Sequence, residues 1–360
     1  MTVSSPCRVA LLGFGTVGSA VARRLTSADP DASPDVQLTH IFDRRADQKS
    51  ASRPANGVLW TSSIDDVLHS DADVVVEAIG GVEPAAGWIR AALLAGKSVV
   101  TANKQVIARH GASLLTLAAR QGRQLRFEAA VGGAMPIVRA VGEGLVGDRI
   151  TRIVAILNGT TNAVLSRMEA TGCALDAAVR DAQGRGYAEA DPSADLDGDD
   201  ARAKLAILCA LAFGLRVNPS QIDTQSSASV TQADFVQARQ RGSTIRQIAR
   251  ADYDHRTSTL TAWVAPVEVA ASSIFARTVG AQNAALTTGA HSGETGIFGA
   301  GAGGDATAVA VLSDIVAIAR DKAAVVPAPN LTETFKLQIS KFRRETSDLR
   351  VESSVLLEAV

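Results

Sequence analysis

The chain opens with a rhythm of short apolar runs, each followed by a helical pattern. "RVALLGFGTVGSAVARRL" passes from an apolar run through glycines into a helix, and "LTHIFDRR" reads as the next strand. "ADVVVEAIGG" is a further strand ending in glycines, followed by the helix "PAAGWIRAALLAG". "KSVVTANK", the helical "LLTLAARQG" and the strand "LRFEAAVGG" complete this region. Strands alternating with helices predict βαβ units on a parallel sheet. The fold class expected is α/β: a Rossmann-type dinucleotide-binding domain over 1–136, joined to an α+β substrate and dimerisation domain over 137–303. In the second region "IVRAVGEGL" reads as helical, and "ITRIVAILNGTTNAVLSRM" runs from strand through a glycine turn into a helix. "STLTAWVAPVEVA" reads as strand. The long apolar helix in 304–330 is expected to return to the first domain, and 331–360 to form a helix or tail.

Composition narrows the function classes. The formal net charge of 360 residues is −1, so no global field draws the chain to nucleic acid or an anionic membrane. "RQRGSTIRQIARADYDHR" is locally basic and reads as a solvated helix face rather than a phosphate-binding patch. The three cysteines, Cys7, Cys173 and Cys209, are odd in number and far apart, which predicts a reducing compartment. Neither a signal peptide nor a membrane-spanning run is evident, so the expected location is cytoplasmic.

Gly13-Phe14-Gly15-Thr16-Val17-Gly18 fits G-x-G-x-x-G between a predicted strand and helix. The first glycine permits the tight turn, the second lets a pyrophosphate approach, and the third lets helix and strand pack closely. Helix N–H groups then face the phosphate. Asp43, Gly80-Gly81 and Asn103-Lys104 also follow predicted strands, and open α/β sheets bind ligands beyond those ends. Asp43 is placed to accept from adenosine-ribose hydroxyls, whereas Arg44 and Arg45 are placed to pair with a 2′-phosphate. The two signals predict use of both NAD and NADP, with a lean to NAD.

"GYAEADPSADLDGDDARAKLAIL" crowds six acids between Glu189 and Asp200 ahead of Lys204. A calcium loop beginning at Asp195 fails, because its sixth and twelfth positions are Asp200 and Ala206 rather than Gly and Glu. Two readings remain. Asp200 and Lys204, four residues apart on a helix, form either an ordinary surface pair or the edge of a polar substrate pocket. In the second case a partly buried, oriented lysine suits proton transfer, and the surplus acids suit a substrate bearing an ammonium group.

Taken together, "GFGTVG", "VVVEAIGG", "GKSVVTANK", "FEAAVGGAMPIV", "ILNGTTNAVL", "GYAEADPSADLDGDDARAKLAIL" and "GAGAGGDATAVAVLSDI" resemble the homoserine dehydrogenases over about residues 8–320. The resemblance implies NAD(P)-dependent hydride transfer between L-homoserine and L-aspartate 4-semialdehyde, a step of threonine and methionine biosynthesis. It implies Lys204 as acid/base, with Lys104 between cofactor and substrate. Glu189, Asp200, Asp195 and Thr160 become substrate-binding candidates, Glu189 reaching the ammonium group. The cofactor-binding candidates are residues 13–18, Asp43, Arg44, Lys104, Gly186 and Gly303. Glu128, with the carbonyls of Val131, Gly133 and Met135, is implied as a monovalent-cation site for Na+ or K+. A homodimer or homotetramer of a short form, without a C-terminal regulatory domain or threonine feedback, is expected, with no nucleic-acid or membrane partner. A related NAD(P) oxidoreductase on another amino or oxo acid, or a catalytically silent dinucleotide-binding protein, is the alternative.

Overall fold

The computed structural model describes residues 6–27, 35–52 and 57–338. The chain divides into two compact units. One runs up to Ala140 and takes in Gly303–Leu331; the other comprises Val141–Ala302 and the described residues from Thr332.

The first unit holds strands β1 (Cys7–Leu12), β2 (Val36–Phe42), β3 (Leu59–Thr61), β4 (Val74–Glu77), β5 (Ser98–Thr101) and β6 (Leu125–Arg126). They form a six-stranded sheet in the order β3-β2-β1-β4-β5-β6, every pairing parallel. That order is the doubly wound arrangement, with the reversal between β1 and β4. β4 and β5 are buried at every position, as strands covered on both faces must be, and this is why they read as unbroken apolar runs. Val9, Leu11, Val74 and Val76 pack with Val21 of helix Thr16–Leu25 and with Val311, Ile315 and Ile318 of helix Gly304–Arg320. The expected strand "LRFEAAVGG" is short: after Arg126 the chain enters a 3-10 turn, Glu128–Ala130, whose buried carboxylate bonds to backbone N–H groups.

The second unit is built on β7 (Ile150–Ile156), β8 (Asp223–Thr224), β9 (Ser243–Asp254), β10 (Thr259–Ala270), β11 (Gln282–Gly289), β12 (Gly293–Ala300) and β13 (Lys336–Gln338). The seven-stranded sheet has the order β12-β11-β7-β9-β10-β13, with β8 also on β10. It is mixed: β7, β9, β10, β11 and β12 pair antiparallel, while β8 and β13 join β10 in parallel. Helices Gly159–Thr171, Leu175–Gly184 and Gln232–Gln240 bury Leu165, Met168, Ala182 and Phe235 in a shared cluster with Ile245 of β9. The basic segment expected as a solvated helix face is instead mostly β9, an interior strand with Arg246 only 1% exposed. Arg246 and Arg241 pair with acids distant in sequence, Glu169 and Glu268, whereas Arg250 pairs with Asp252 two positions on. The region 331–360, expected as a helix or tail, contributes β13 up to Gln338, and its remainder lies outside the described residues. Among the described residues no helix is long and apolar enough to cross a membrane, and Cys7, Cys173 and Cys209 are all free thiols.

Candidate functional site

The glycine loop follows β1 directly. Gly13 has φ +95°, and a Cβ there would stand 2.8 Å from the Ala78 carbonyl oxygen, so both backbone conformation and space require glycine. A Cβ on Gly18 would lie 2.0 Å from the Gly13 carbonyl oxygen. Gly15 has open space where its Cβ would be. The loop therefore divides its glycines as the motif predicts: two serve packing, and one leaves room for a ligand. Gly15 caps the helix Thr16–Leu25 without a side-chain bond, and no acid occupies the first turn, so its N–H groups and positive dipole end suit a phosphate.

At the end of β2, Asp43 is turned inward. One carboxylate oxygen accepts from the Phe14 N–H at 3.0 Å and from the Lys49 ammonium, and the other accepts from the Arg45 N–H at 2.9 Å. Burial opposes its ionisation, but Lys49 and the two N–H donors outweigh burial and hold its pKa below the usual carboxylate value. Lys49 also donates to the Phe14 carbonyl at 3.0 Å. A cavity of about 620 Å³ opens here, lined by Gly15, Asp43, Arg44, Arg45, Lys49 and Gly80 among others. Lys49 escaped the sequence reading; its position one helical turn after the Arg pair was the available signal.

A second network lies at the ends of β4 and β5. Glu77, fully buried, accepts from the Ile79 N–H at 2.9 Å, the Thr101 hydroxyl at 2.5 Å and the Asn103 amide at 3.4 Å. Asn103 accepts from the Val106 N–H at 3.1 Å and so caps helix Lys104–Arg120. Lys104 is thereby fixed, half-buried, as the first residue of that helix. Gly303, at φ +112° with open space beside its α-carbon, caps helix Gly304–Arg320, whose Gly304 lies tight against Thr16.

Glu128 is 4% exposed. Its carboxylate accepts from the Val138 N–H at 2.7 Å and the Arg139 N–H at 2.9 Å, while its own N–H donates to Asp314 at 2.9 Å. Burial dominates and pushes its pKa up to about 7 despite those donors. Arg139 pairs with Asp314 at 2.9 Å rather than with Glu128. Val131, Gly133 and Met135 lie in the tight turn that follows, where the Met135 carbonyl accepts from the Ile137 N–H at 2.8 Å. Among the described residues no group of three His, Cys, Asp or Glu side chains could hold a metal. One carboxylate with backbone carbonyls is an all-oxygen set of low charge, which suits a hard monovalent ion better than a transition metal.

In the second unit the acidic stretch resolves into distinct roles. Helix Asp199–Phe213 places Asp200 and Lys204 on one face, and Lys204 Nζ lies 2.8 Å from Asp200 Oδ2. Their side chains are 5% and 13% exposed, so this is a buried pair and not the ordinary surface pair. Nζ also donates to the Leu157 carbonyl at 2.9 Å. Asn158, which caps helix Gly159–Thr171 by accepting from the Thr161 N–H, donates its amide to Asp195 at 2.7 Å and to Asp200 at 2.8 Å. Asp195, Asn158, Asp200 and Lys204 thus form one chain of bonds. Asn158 was missed; its place immediately before "GTTN" was a capping signal. Thr160 donates to the Tyr187 carbonyl at 2.6 Å, tying down the loop that carries Gly186 and Glu189. Gly186 adopts φ +74° with open space around it. Glu189 is exposed, and only its backbone carbonyl is engaged, by Gln183 at 3.0 Å. The other acids serve structural contacts: Asp191 receives the Ser193 N–H and Asp199 pairs with Arg202 locally, while Asp197 receives the hydroxyl of Ser226, 29 positions on.

A lysine ammonium has three N–H donors. Two are taken by Asp200 and Leu157, which leaves a third.

Comparison with known proteins gives the family of the chain. Residues 136–316 match the model of the homoserine dehydrogenase family, and residues 13–128 match that of the homoserine dehydrogenase NAD-binding domain. A homoserine dehydrogenase of Mycobacterium leprae is 40% identical over 325 residues, covering 87% of this chain and 72% of its own length. The crystal structure of a homoserine dehydrogenase from Thiobacillus denitrificans superposes with a TM-score of 0.84 at 34% identity, over 93% of this chain and 80% of that one. A hyperthermophilic archaeal homoserine dehydrogenase, solved in complex with NADPH, gives 0.71 at 27% identity over 89% of this chain and all of its own.

Proposed function

The chain belongs to the homoserine dehydrogenase family of NAD(P)-dependent oxidoreductases, and from that premise we propose that it interconverts L-homoserine and L-aspartate 4-semialdehyde with Lys204 as the acid/base. The observation that carries the assignment is the tethered ammonium: 2.8 Å to Asp200 and 2.9 Å to Leu157, with one N–H left over. NAD(P), when bound, supplies or accepts the hydride.

In reduction Lys204 donates its third N–H to the aldehyde oxygen and delivers the proton as C4 receives hydride. Oxidation reverses both transfers, so the hydroxyl proton returns to Nζ. Asp200 keeps Nζ aimed and balances its charge in a buried setting. Asn158 in turn orients Asp200, and Asp195 completes the chain. Glu189, whose carboxylate is not consumed locally, is suited to the substrate ammonium. Thr160 holds the loop that presents it. Lys104 brings positive charge to the ends of β4 and β5, the edge at which α/β sheets bind ligands.

In the first unit the glycine loop, with Gly303 as an open backbone position, suits the cofactor; in the second, Gly186 is an open backbone position suited to the same role. Use of both cofactors is supported at the end of β2: Lys49 offsets the charge of Asp43, and Arg44 and Arg45 line the same cavity. Glu128 with the Val131, Gly133 and Met135 carbonyls is suited to Na+ or K+, which would offset the part of its burial cost that the Val138 and Arg139 N–H groups leave. Free cysteines support a cytoplasmic setting. Among the described residues strand β12 lies at the sheet edge, with Phe298 67% exposed, which supports a homodimer or homotetramer through the second unit. The direct test is oxidation of NADPH and NADH in the presence of L-aspartate 4-semialdehyde. Absence of turnover with both cofactors overturns the assignment.

A further inference from the structure

The second unit holds another cavity, of about 600 Å³, which shares no lining residue with the Asn158–Asp200–Lys204 cluster. Its polar lining is dominated by four guanidinium groups: Arg167, Arg185, Arg239 and Arg246. Only two carboxylates face them, and both are already committed. Glu169 pairs with Arg246 at 2.8 Å. Asp181 pairs with Arg185 at 3.0 Å and lies 3.7 Å from Arg167. The lining therefore carries two positive charges more than its acids offset.

Arg246 is the anchor. It is 1% exposed and is locked by the carbonyls of Ile245 at 2.9 Å, Ala276 at 3.0 Å and Thr278 at 3.3 Å. Arg239 makes one long contact, 3.5 Å to the Glu169 carbonyl. The rest of the wall is small and apolar, chiefly alanines such as Ala163 and Ala182, with Ser166 and Tyr187 among them. A guanidinium pairs with carboxylate or phosphate through two parallel N–H bonds, and Arg167 and Arg185, with side chains 42% and 58% exposed, keep their heads accessible to a ligand. A volume of this size lies within the range of small-molecule sites.

We infer that this cavity binds a small organic anion carrying at least two negative charges, a phosphate ester or a polycarboxylate. Arg185 and Tyr187 flank Gly186, at the start of the loop to Glu189, and Thr160 and Gln183 hold that loop by its carbonyls. An occupant that fixes Arg185 and Tyr187 restrains the loop bearing Glu189, so the ligand changes KM for homoserine. That coupling rests on Glu189 as the partner of the substrate ammonium; the binding itself does not.

The test is calorimetric titration of inorganic pyrophosphate and of citrate into the full chain saturated with NADPH, which occupies the glycine loop. Sodium chloride holds ionic strength constant. Saturable 1:1 binding of pyrophosphate alone identifies the phosphate class, of citrate alone the polycarboxylate class, and either supports the site. Arg185→Gln combined with Arg239→Gln, both on exposed side chains, weakens Kd by about tenfold or more, as loss of charge-assisted bonds requires. Ala163→Tyr fills the cavity and abolishes binding. No saturable binding of either probe, or binding unchanged in the double arginine variant, overturns the site. Binding that leaves KM for homoserine unmoved overturns the coupling.

Discussion

Replacing Lys204 with methionine removes the charge but keeps an unbranched side chain of similar length, and it has two separable consequences. The first is on stability. Lys204 and Asp200 are 2.8 Å apart and almost fully buried, and removing one partner of such a pair costs on the order of 3–5 kcal/mol. The lower end applies here, because Asp200 keeps the Asn158 amide at 2.8 Å. The second is on rate. A positioned acid/base group contributes ~10²–10⁴-fold, so turnover falls by that factor while cofactor affinity stays near wild type. Adding Asp200→Asn separates the two. The second substitution removes the stranded buried charge, and an asparagine oxygen still accepts from Asn158. Urea unfolding of the double variant should return to within about 1 kcal/mol of wild type, since matched neutral partners cost little. Its turnover should remain as low as that of Lys204→Met. Steady-state kinetics, cofactor titration by nicotinamide fluorescence and unfolding curves on the same preparations decide the matter. If the double variant recovers turnover along with stability, Lys204 is a structural partner of Asp200 and the acid/base assignment fails.

Other outcomes follow from the same geometry. Glu128 is pushed up to about 7 from an ordinary 4.5, so the unfolded chain ionises first. Its contribution therefore favours folding below pH 4.5 and is lost as pH rises to about 7, a change of about 3 kcal/mol at ~1.4 kcal/mol per unit. Glu128→Gln should flatten that part of the stability–pH curve, and K+ or Na+ should flatten it in wild type only; a curve of the same slope in the variant removes Glu128 as its source. Gly15→Ala should fold with near wild-type Tm yet bind NAD(P) weakly, whereas Gly18→Ala should fail to fold, because only the second Cβ meets backbone, at 2.0 Å. Unchanged cofactor affinity in Gly15→Ala would count against pyrophosphate contact at this loop. Lys49→Ala should unmask the Asp43 charge and shift the kcat/KM ratio toward NADH, and replacing Arg44 and Arg45 with alanine should shift it the same way; a constant ratio excludes the end of β2 from cofactor choice. Glu189→Gln should raise KM for homoserine with little effect on kcat, and equal losses for homoserine and NADPH would mark Glu189 as structural.

What could be read from the chain, and what could not, divides along sequence separation. The glycine loop is largely local: its three glycines, the strand before and the helix after lie within 19 positions (7–25), and the 2.0 Å approach of a Gly18 Cβ to the Gly13 carbonyl is set inside that stretch, although the Ala78 carbonyl that crowds Gly13 comes from the end of β4. The Asp200–Lys204 pair is local in the same sense, since helical periodicity alone puts the two on one face. Burial decided between the pocket and the surface pair, and burial is a property of the surroundings. Asn158 stayed hidden for this reason: its amide bridges Asp195 and Asp200, 37 and 42 positions away, and only the sheet and helix packing of the second unit closes those gaps. The basic segment 239–256 failed for the opposite reason. Its charges are local and conspicuous, and a charge run ordinarily signals a solvated face. β9 nevertheless lies inside the sheet, because Arg246 finds Glu169 on another helix together with three carbonyls, and these repay its desolvation. A buried arginine is tolerable only with such partners in place. The surplus of guanidinium groups around that one satisfied arginine is then a feature that no pattern of residues within the segment could have displayed, and it is the feature on which the anion site depends.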